Sequence, residues 1–257
     1  MAPHVAPADF YTGLVAQLYR YLRSESPDPR PYAAFVRGSG EPALELGCGD
    51  GDPLLDLRAQ GLDVEGLDAS LDMLDQCRVA ATARGLEVEL HHALFESMDL
   101  GRRYRSIYVA GASFNLLVDD ATMQCALGRI AAHLEPGGSA LIPLFVPGSD
   151  AAGVIGQTRE CRADDGSTMR LTVSSVDRDV DARLLTTRLH YERLGPETTE
   201  MVERSWVLHW VERERFARMA TDAGLAVRAV LAPDGSRADA DATTFSFVLQ
   251  AAGLPSG

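Results

Sequence analysis

Residues 43–53, ALELGCGDGDP, constrain the fold more than any other stretch of the chain. A short, nearly apolar run carries one carboxylate, Glu45, and passes into glycine at every second position, Gly47, Gly49 and Gly51. Glycine reaches backbone conformations closed to other residues, and it lets backbone amides approach a ligand that any Cβ would hold away. A buried strand that ends this way and leads into a helix belongs to a sheet whose ligands gather beyond its strand ends. The spacing is G-x-G-x-G, not the G-x-G-x-x-G of dinucleotide-binding sheets. Asp50 and Asp52 also stand in or beside the turn, where carboxylates repel a pyrophosphate and suit a cation.

The surrounding pattern predicts a mainly parallel sheet. PALELG, DVEGLD, EVELHHA, YRSIYVAG and SALIPLFVPG read as strands. Between them DPLLDLRAQG, SLDMLDQCRVAATARG and DDATMQCALGRIAAHLEPGG read as helices. Strands too apolar to have one wet face require helices on both sides. Before them, ADFYTGLVAQLYRYLR has helical spacing with Asp9 as N-cap, and a second helix is expected over Tyr32–Arg37. After Gly148 the period changes to two, and about three antiparallel strands are expected as an insertion. Helix ERERFARMATDAGL, with Gly224 at its end, and strands LAVRAVL and TTFSFVLQ close the chain.

With 37 acidic against 24 basic residues, a formal charge of −13, the chain is a poor partner for nucleic acid, whose binding rests on Lys and Arg neutralising phosphates. The four cysteines form no CxxC pair, so neither a zinc site nor a disulfide framework is expected. No apolar run reaches membrane-spanning length and the N-terminus has no secretory pattern, so a soluble cytoplasmic protein is expected.

LELGCGDG resembles the first motif of the class I S-adenosylmethionine-dependent methyltransferases. VEGLDASLDML is similar to the motif that follows it, and HLEPGG to the helix-to-fifth-strand signature, all in the family's order. The resemblance implies a Rossmann-like α/β fold: a seven-stranded, mainly parallel sheet with helices on both faces, plus a small antiparallel insertion after the fifth strand. It divides the chain into lid helices at 1–40, a cofactor-binding unit at 41–148 and 212–257, and the insertion at 149–211. S-adenosylmethionine is the implied cofactor, S-adenosylhomocysteine its product, and a small molecule the acceptor, with oxygen, nitrogen and carbon all open as the atom methylated.

Asp68, at the tip of the second strand, is implied to hold the ribose hydroxyls. Glu45 reads as an acceptor for the cofactor's amino group or as a structural bond to a loop amide. Gly47, Cys48, Gly49, Ala69 and Ala110 are further cofactor candidates, with Cys48 also readable as a small residue in the turn. Met73 reads as an adenine contact or as core. The chain departs from the family where an acid usually bonds the adenine amino group: the positions become Ala93, Leu94 and Phe95. Adenine recognition then falls to backbone near Leu94 and Phe95, or to Glu96. Tyr11 and Tyr19 read as lid contacts over the cofactor or as packing of an amphipathic helix.

For the acceptor, AGASFNLL offers Ser113, Phe114 and Asn115, and it is not the D/N-P-P-Y/F motif of nucleobase and glutamine methylation. Asn115 and His209 are the catalytic candidates. His209 ends an inserted strand on which Trp206, Leu208 and Trp210 take the other face. His91 and His92 are expected near the cofactor, His133 in a structural position, His190 inside the insertion, and His4 in a frayed tail. The insertion reads as a roof over the acceptor, a homodimer interface, or both. Two rival readings stay open: a nucleotide-dependent oxidoreductase on the same sheet, and a protein that binds the cofactor without turnover.

Overall fold

The computed structural model describes residues 7–23, 26–148, 150–163 and 165–252; His4 lies outside them. Two helices open the described chain, α1 (Pro7–Phe10) and α2 (Leu14–Leu22). The single helix expected here is broken at Tyr11–Gly13, because Gly13 sits at φ 57°, ψ −127°, outside any helical region. Asp9 therefore lies in the first helix instead of capping a long one. Helix α3 (Pro29–Ser39) is longer than the expected Tyr32–Arg37: Asp28 caps it by accepting from the Arg30 amide, and Pro29 occupies the first helical position.

The alternating part follows as β1 (Ala43–Leu46), α4 (Leu54–Ala59), β2 (Val64–Asp68), α5 (Leu71–Ala83), β3 (Leu90–His92), β4 (Tyr104–Val109), α6 (Asp120–His133) and β5 (Leu134–Phe145). Strand β3 is shorter than EVELHHA suggests, and β5 begins at Leu134, so the EPGG segment is strand and not helix end. The second sheet has four strands instead of about three: β6 (Thr158–Arg162), β7 (Thr168–Asp179), β8 (Leu184–Leu194) and β9 (Thr199–His209), all antiparallel. The unexpected one, β6, is a short and largely exposed edge with no apolar alternation to announce it. Helix α7 (Arg213–Asp222) and strands β10 (Leu225–Leu231) and β11 (Thr244–Ala251) complete the main sheet.

That sheet has the order β10-β11-β5-β4-β1-β2-β3, with β1 to β5 parallel and β11 antiparallel to both neighbours. Strand order reverses at β1, which pairs with β2 on one side and β4 on the other; a crevice opens beyond such a switch point. Both faces are covered, as a parallel sheet requires. Ala43, Val64, Tyr108 and Leu141 pack with α3, α4 and α5, while Leu44, Leu46, Ile107 and Ile142 pack with α6 and α7. A separate cluster joins Phe10, Val15, Leu18 and Leu22 to Met169, Leu189 and Tyr191, so α1 and α2 lie on the second sheet. Among the described residues no helix is long and apolar enough to cross a membrane.

The tightest joint beneath the crevice is Gly66 in β2. A Cβ there would stand 2.6 Å from Leu54 Cδ2, 2.8 Å from Cys48 Sγ and 2.9 Å from Leu90 Cδ2. Gly66→Ala is expected to destabilise the fold by about 1–3 kcal/mol through overpacking. The measure is a lower urea midpoint at unchanged slope; an unmoved midpoint would mean that β2 and α4 are less closely joined.

Candidate active site

The first turn is built by backbone. After β1 the chain passes through positive φ at Gly47 (73°), Gly49 (53°) and Gly51 (94°), a region that favours glycine. Gly47 N and Cys48 N both donate to the Leu67 carbonyl, at 2.7 and 3.0 Å. Asp68 then joins the first two strand ends: Oδ2 accepts from Gly49 N at 2.9 Å and Oδ1 from Ser70 N at 2.8 Å. Burial pushes the Asp68 carboxyl upward, and those backbone bonds oppose the push.

A cleft of about 330 Å³ opens over this turn. Of the sequence candidates, Tyr11, Tyr19, Gly47, Gly49, Asp68, Ala69, Met73, Leu94, Phe95 and Ser113 line it. Glu96 joins them, as do Leu116, Leu117, Val118 and Thr122, which sequence reasoning missed. Their one signal is the apolar run NLLV just before Asp119, the N-cap of α6.

Three cofactor candidates lie off the wall. Cys48 is buried and packs toward Gly66, as the small residue of the turn. Ala110 follows β4 without reaching the cleft. Glu45 lies inside β1, fully buried, with Oε2 accepting from the Tyr108 hydroxyl at 2.6 Å and Oε1 unpartnered among the described residues. Burial, helped by the charges of Asp52, Asp68 and Asp50, raises the Glu45 carboxyl to about 8. The cation that Asp50 and Asp52 suit is supplied in part by the chain itself: Arg23 Nη2 is 2.6 Å from Asp52 Oδ2, and Nη1 is 3.5 Å from Asp50 Oδ1.

Beside the cleft is a larger chamber of about 690 Å³, enclosed by α1, α2, the end of β5 and the second sheet. Tyr11 and Tyr19 line both spaces and meet edge to face at 5.5 Å. The chamber's other aromatic walls are Phe10, Phe145, Tyr191 and Trp206, and its charged members among the described residues are Arg23 and Arg159. Burial raises the pKa of Tyr11, Tyr19 and Tyr191 above the ordinary tyrosine value, so all three stay protonated near neutrality.

The catalytic candidates do not face either space. The inward positions of β9 belong to Trp206 and Leu208, so His209 points the other way. It is buried, with Nε2 3.5 Å from Asp120 Oδ1, and burial together with the nearby Arg183 lowers its pKa. Asn115 is fully buried and bonds backbone: Oδ1 accepts from Phe145 N, while Nδ2 donates to the Phe145 and His209 carbonyls. Phe114 is core, packed between Phe95 and Phe216. His91 sits 2.8 Å from Glu65, beside Arg102 and Tyr104, away from the cleft wall; His92 touches the Ala69 carbonyl at 3.0 Å from an exposed position. His133 is structural, accepting from Leu100 N and donating to the Arg129 carbonyl. His190 is 4.0 Å from Glu192 on the second sheet.

Comparison with known proteins gives a match of residues 43–138 to a family model described as a methyltransferase domain. The chain is 30% identical over 236 residues to the dTDP-3-amino-3,6-dideoxy-alpha-D-glucopyranose N,N-dimethyltransferase of Streptomyces fradiae, covering 86% of this chain and 87% of that protein. Among solved structures, the CcbJ methyltransferase from Streptomyces caelestis superposes with a TM-score of 0.76 at 24% identity, over 95% of this chain and 98% of that one. S-adenosylmethionine-bound CalS10 from Micromonospora echinaspora, described as an amino pentose methyltransferase, gives 0.66 at 21% identity, over 97% and 99%.

The raised Glu45 carboxyl makes stability depend on pH. The folded protein holds a proton at about 8 that the unfolded chain releases near 4.5. Its contribution is fully present below 4.5 and is lost as pH rises through 8. Between pH 5 and 8 the thermal midpoint of the ligand-free protein is expected to fall relative to that of Glu45→Gln, which cannot titrate. Parallel curves for the two proteins would mean that Glu45 is ionised when buried.

Proposed function

The chain belongs to the class I S-adenosylmethionine-dependent methyltransferases, and from that premise we propose that its acceptor is an amine nitrogen on a small, sugar-like molecule held in the chamber. Membership sets aside the oxidoreductase and the binder without turnover. The observation that carries the proposal is the double position of Tyr11 and Tyr19, on the wall of the cleft and of the chamber at once.

The cleft fits the cofactor on its own chemistry. The bare turn admits a ligand against backbone, Asp68 stands at the second strand end, and the orphaned Glu45 Oε1 lies below among acids that favour a positive charge. Gly47 and Gly49 would seat the methionine portion, Glu45 would take its ammonium group directly or through water, Asp68 the ribose, and Met73, Leu94, Phe95 and Glu96 the adenine. When bound, S-adenosylmethionine supplies a methyl group on positively charged sulfur and leaves as S-adenosylhomocysteine.

The protein's own work is alignment and exclusion of water. Tyr11 and Tyr19 hold neutral hydroxyls at the junction, where each can accept from an amine N–H and aim the nitrogen lone pair at the cleft. Among its described residues the chamber is lined by no carboxylate, histidine or lysine, and burial keeps its tyrosines protonated near neutral pH. A neutral amine brings its own lone pair, and the proton it sheds after transfer passes to water; an alcohol would need a base beside it. The relative from Streptomyces fradiae, which its name describes as acting on a 3-amino sugar, supports the same class of acceptor.

Two measurements test this. Incubated with S-adenosylmethionine, the protein is expected to methylate amino sugars and to leave the matching hydroxy sugars untouched, read by mass spectrometry and S-adenosylhomocysteine release. Turnover of the hydroxy sugars alone would overturn the amine reading. Asp68→Ala is expected to weaken cofactor binding by about tenfold or more in calorimetry, since it removes a charged hydrogen-bond acceptor; unchanged affinity would remove Asp68 from the cofactor site.

A further inference from the structure

The second sheet turns one charge into the chamber. Register sets Arg159, Leu171, Tyr191 and Val202 abreast across its four strands, and directly opposed partners share a face. Leu171 and Tyr191 line the chamber, and Arg159 lines it with them. Its neighbours along β6, Thr158 and Glu160, take the other face, where Glu160 pairs with Arg170 at 2.5 Å. Arg159 has no comparable partner among the described residues. Among the described residues its one hydrogen bond runs from Nη1 to the Leu22 carbonyl at 2.9 Å, and no carboxylate pairs with it. Its charge reaches the Tyr191 hydroxyl, whose pKa it lowers against the larger upward push of burial.

A guanidinium held in place by one backbone oxygen at the exposed rim of a largely apolar space is prepared for an anion. The chain is acidic overall, which makes a cation at the chamber's rim, with no carboxylate partner among the described residues, the more pointed. Arg23, next along α2 from Leu22, lines the same chamber, but Asp50 and Asp52 already meet its charge. Tyr19 and Leu22 stand one turn apart on α2, so the carbonyl that fixes Arg159 lies on the order of 5 Å along the helix axis from the tyrosine. A chamber of about 690 Å³ has room for more than a sugar ring.

We propose that Arg159 anchors a phosphate group of the acceptor, so that the substrate is an amine whose far end is phosphorylated, its nitrogen at Tyr11 and Tyr19 and its anion at Arg159. This rests on the amine reading of the chamber. A bland alternative exists: an inward-pointing charge guards an edge strand such as β6 against pairing with other chains.

The test compares the parent protein with Arg159→Ala and Arg159→Lys on three acceptors that share one amino sugar: free, as the 1-phosphate, and as the nucleoside diphosphate sugar. The last two separate the sources of phosphate, and dependence on Arg159 with either supports the anchor. The parent is expected to prefer a phosphorylated acceptor by about tenfold or more in kcat/KM. Arg159→Ala should lose about 10- to 100-fold on that acceptor through KM, with kcat kept, and nothing on the free sugar. Arg159→Lys, which keeps the charge, should fall between, and only the proteins with a cation should show a KM that rises with salt. Equal KM values for parent and Arg159→Ala on the phosphorylated acceptors overturn the proposal and leave Arg159 as a guard of the edge. If no amino sugar is methylated, the amine reading fails and the anchor is judged by binding of dTDP to the S-adenosylhomocysteine complex. Binding lost in Arg159→Ala supports the anchor; binding that is unchanged, or absent in the parent, overturns it.

Discussion

Asp68 ends β2 with both carboxylate oxygens engaged on backbone, one by Gly49 and one by Ser70, and the crevice takes its form from those bonds. Ser70 continues the chain of contacts. Its hydroxyl caps α5 by accepting from Met73 N, and it donates to the Tyr11 carbonyl at 2.5 Å. A line of hydrogen bonds thus runs from the glycine turn through the second strand end to the break between α1 and α2. Bonds to a charged group contribute about 1.5–3 kcal/mol each. The turn, the start of α5 and the position of Tyr11 are therefore one problem with one solution, and Gly13 makes it possible by turning the backbone where a continuous helix would carry Tyr11 away.

The same neighbourhood concentrates negative charge. Burial raises the carboxyls of Glu45, Asp50 and Asp68, and repulsion from neighbouring acids adds to the rise of Glu45 and Asp50, while among the described residues Arg23 is the one cation that forms an ion pair with the turn. Unpaired charge in a poorly polarisable interior is costly. A ligand with a positive ammonium and a positive sulfur relieves that cost, and a pyrophosphate adds to it. Glycine spacing and acid content point to one class of ligand because both follow from what can rest against this turn.

The parallel sheet was legible because its strands are apolar on both faces and its helices have clear periods, and the cleft because glycines and one acid fall at strand ends. What stayed hidden depends on contacts distant in sequence. Gly13 looks like a tolerated glycine in a helical pattern; its left-handed backbone is fixed by Asp72, 59 residues away, which accepts from its amide at 2.6 Å. Asn115 and His209 are the residue types of a catalytic pair. Only packing shows that the first ties together two backbone segments and the second turns from the chamber toward Asp120. The fourth strand of the insertion was equally invisible, since β6 has no pattern of its own and is recognised by register against β7.

The two sides of α1 and α2 are bound by different forces. On one side Phe10, Val15, Leu18 and Leu22 bury apolar side chains against the second sheet, at about 1.5–3 kcal/mol for each. On the other side the hold is polar: Gly13 to Asp72, Tyr11 to Ser70, Ala16 to Gln76, and Arg23 to Asp50 and Asp52. Net contributions of such bonds are nearer 0.5–1.5 kcal/mol, and water can replace their partners. The apolar seam is the stronger. The helices thus belong energetically to the inserted sheet, although the sequence places them before the first strand of the other one. Tyr11 and Tyr19 sit on the weaker seam, which is where a ligand must enter for its methyl group and an acceptor atom to meet.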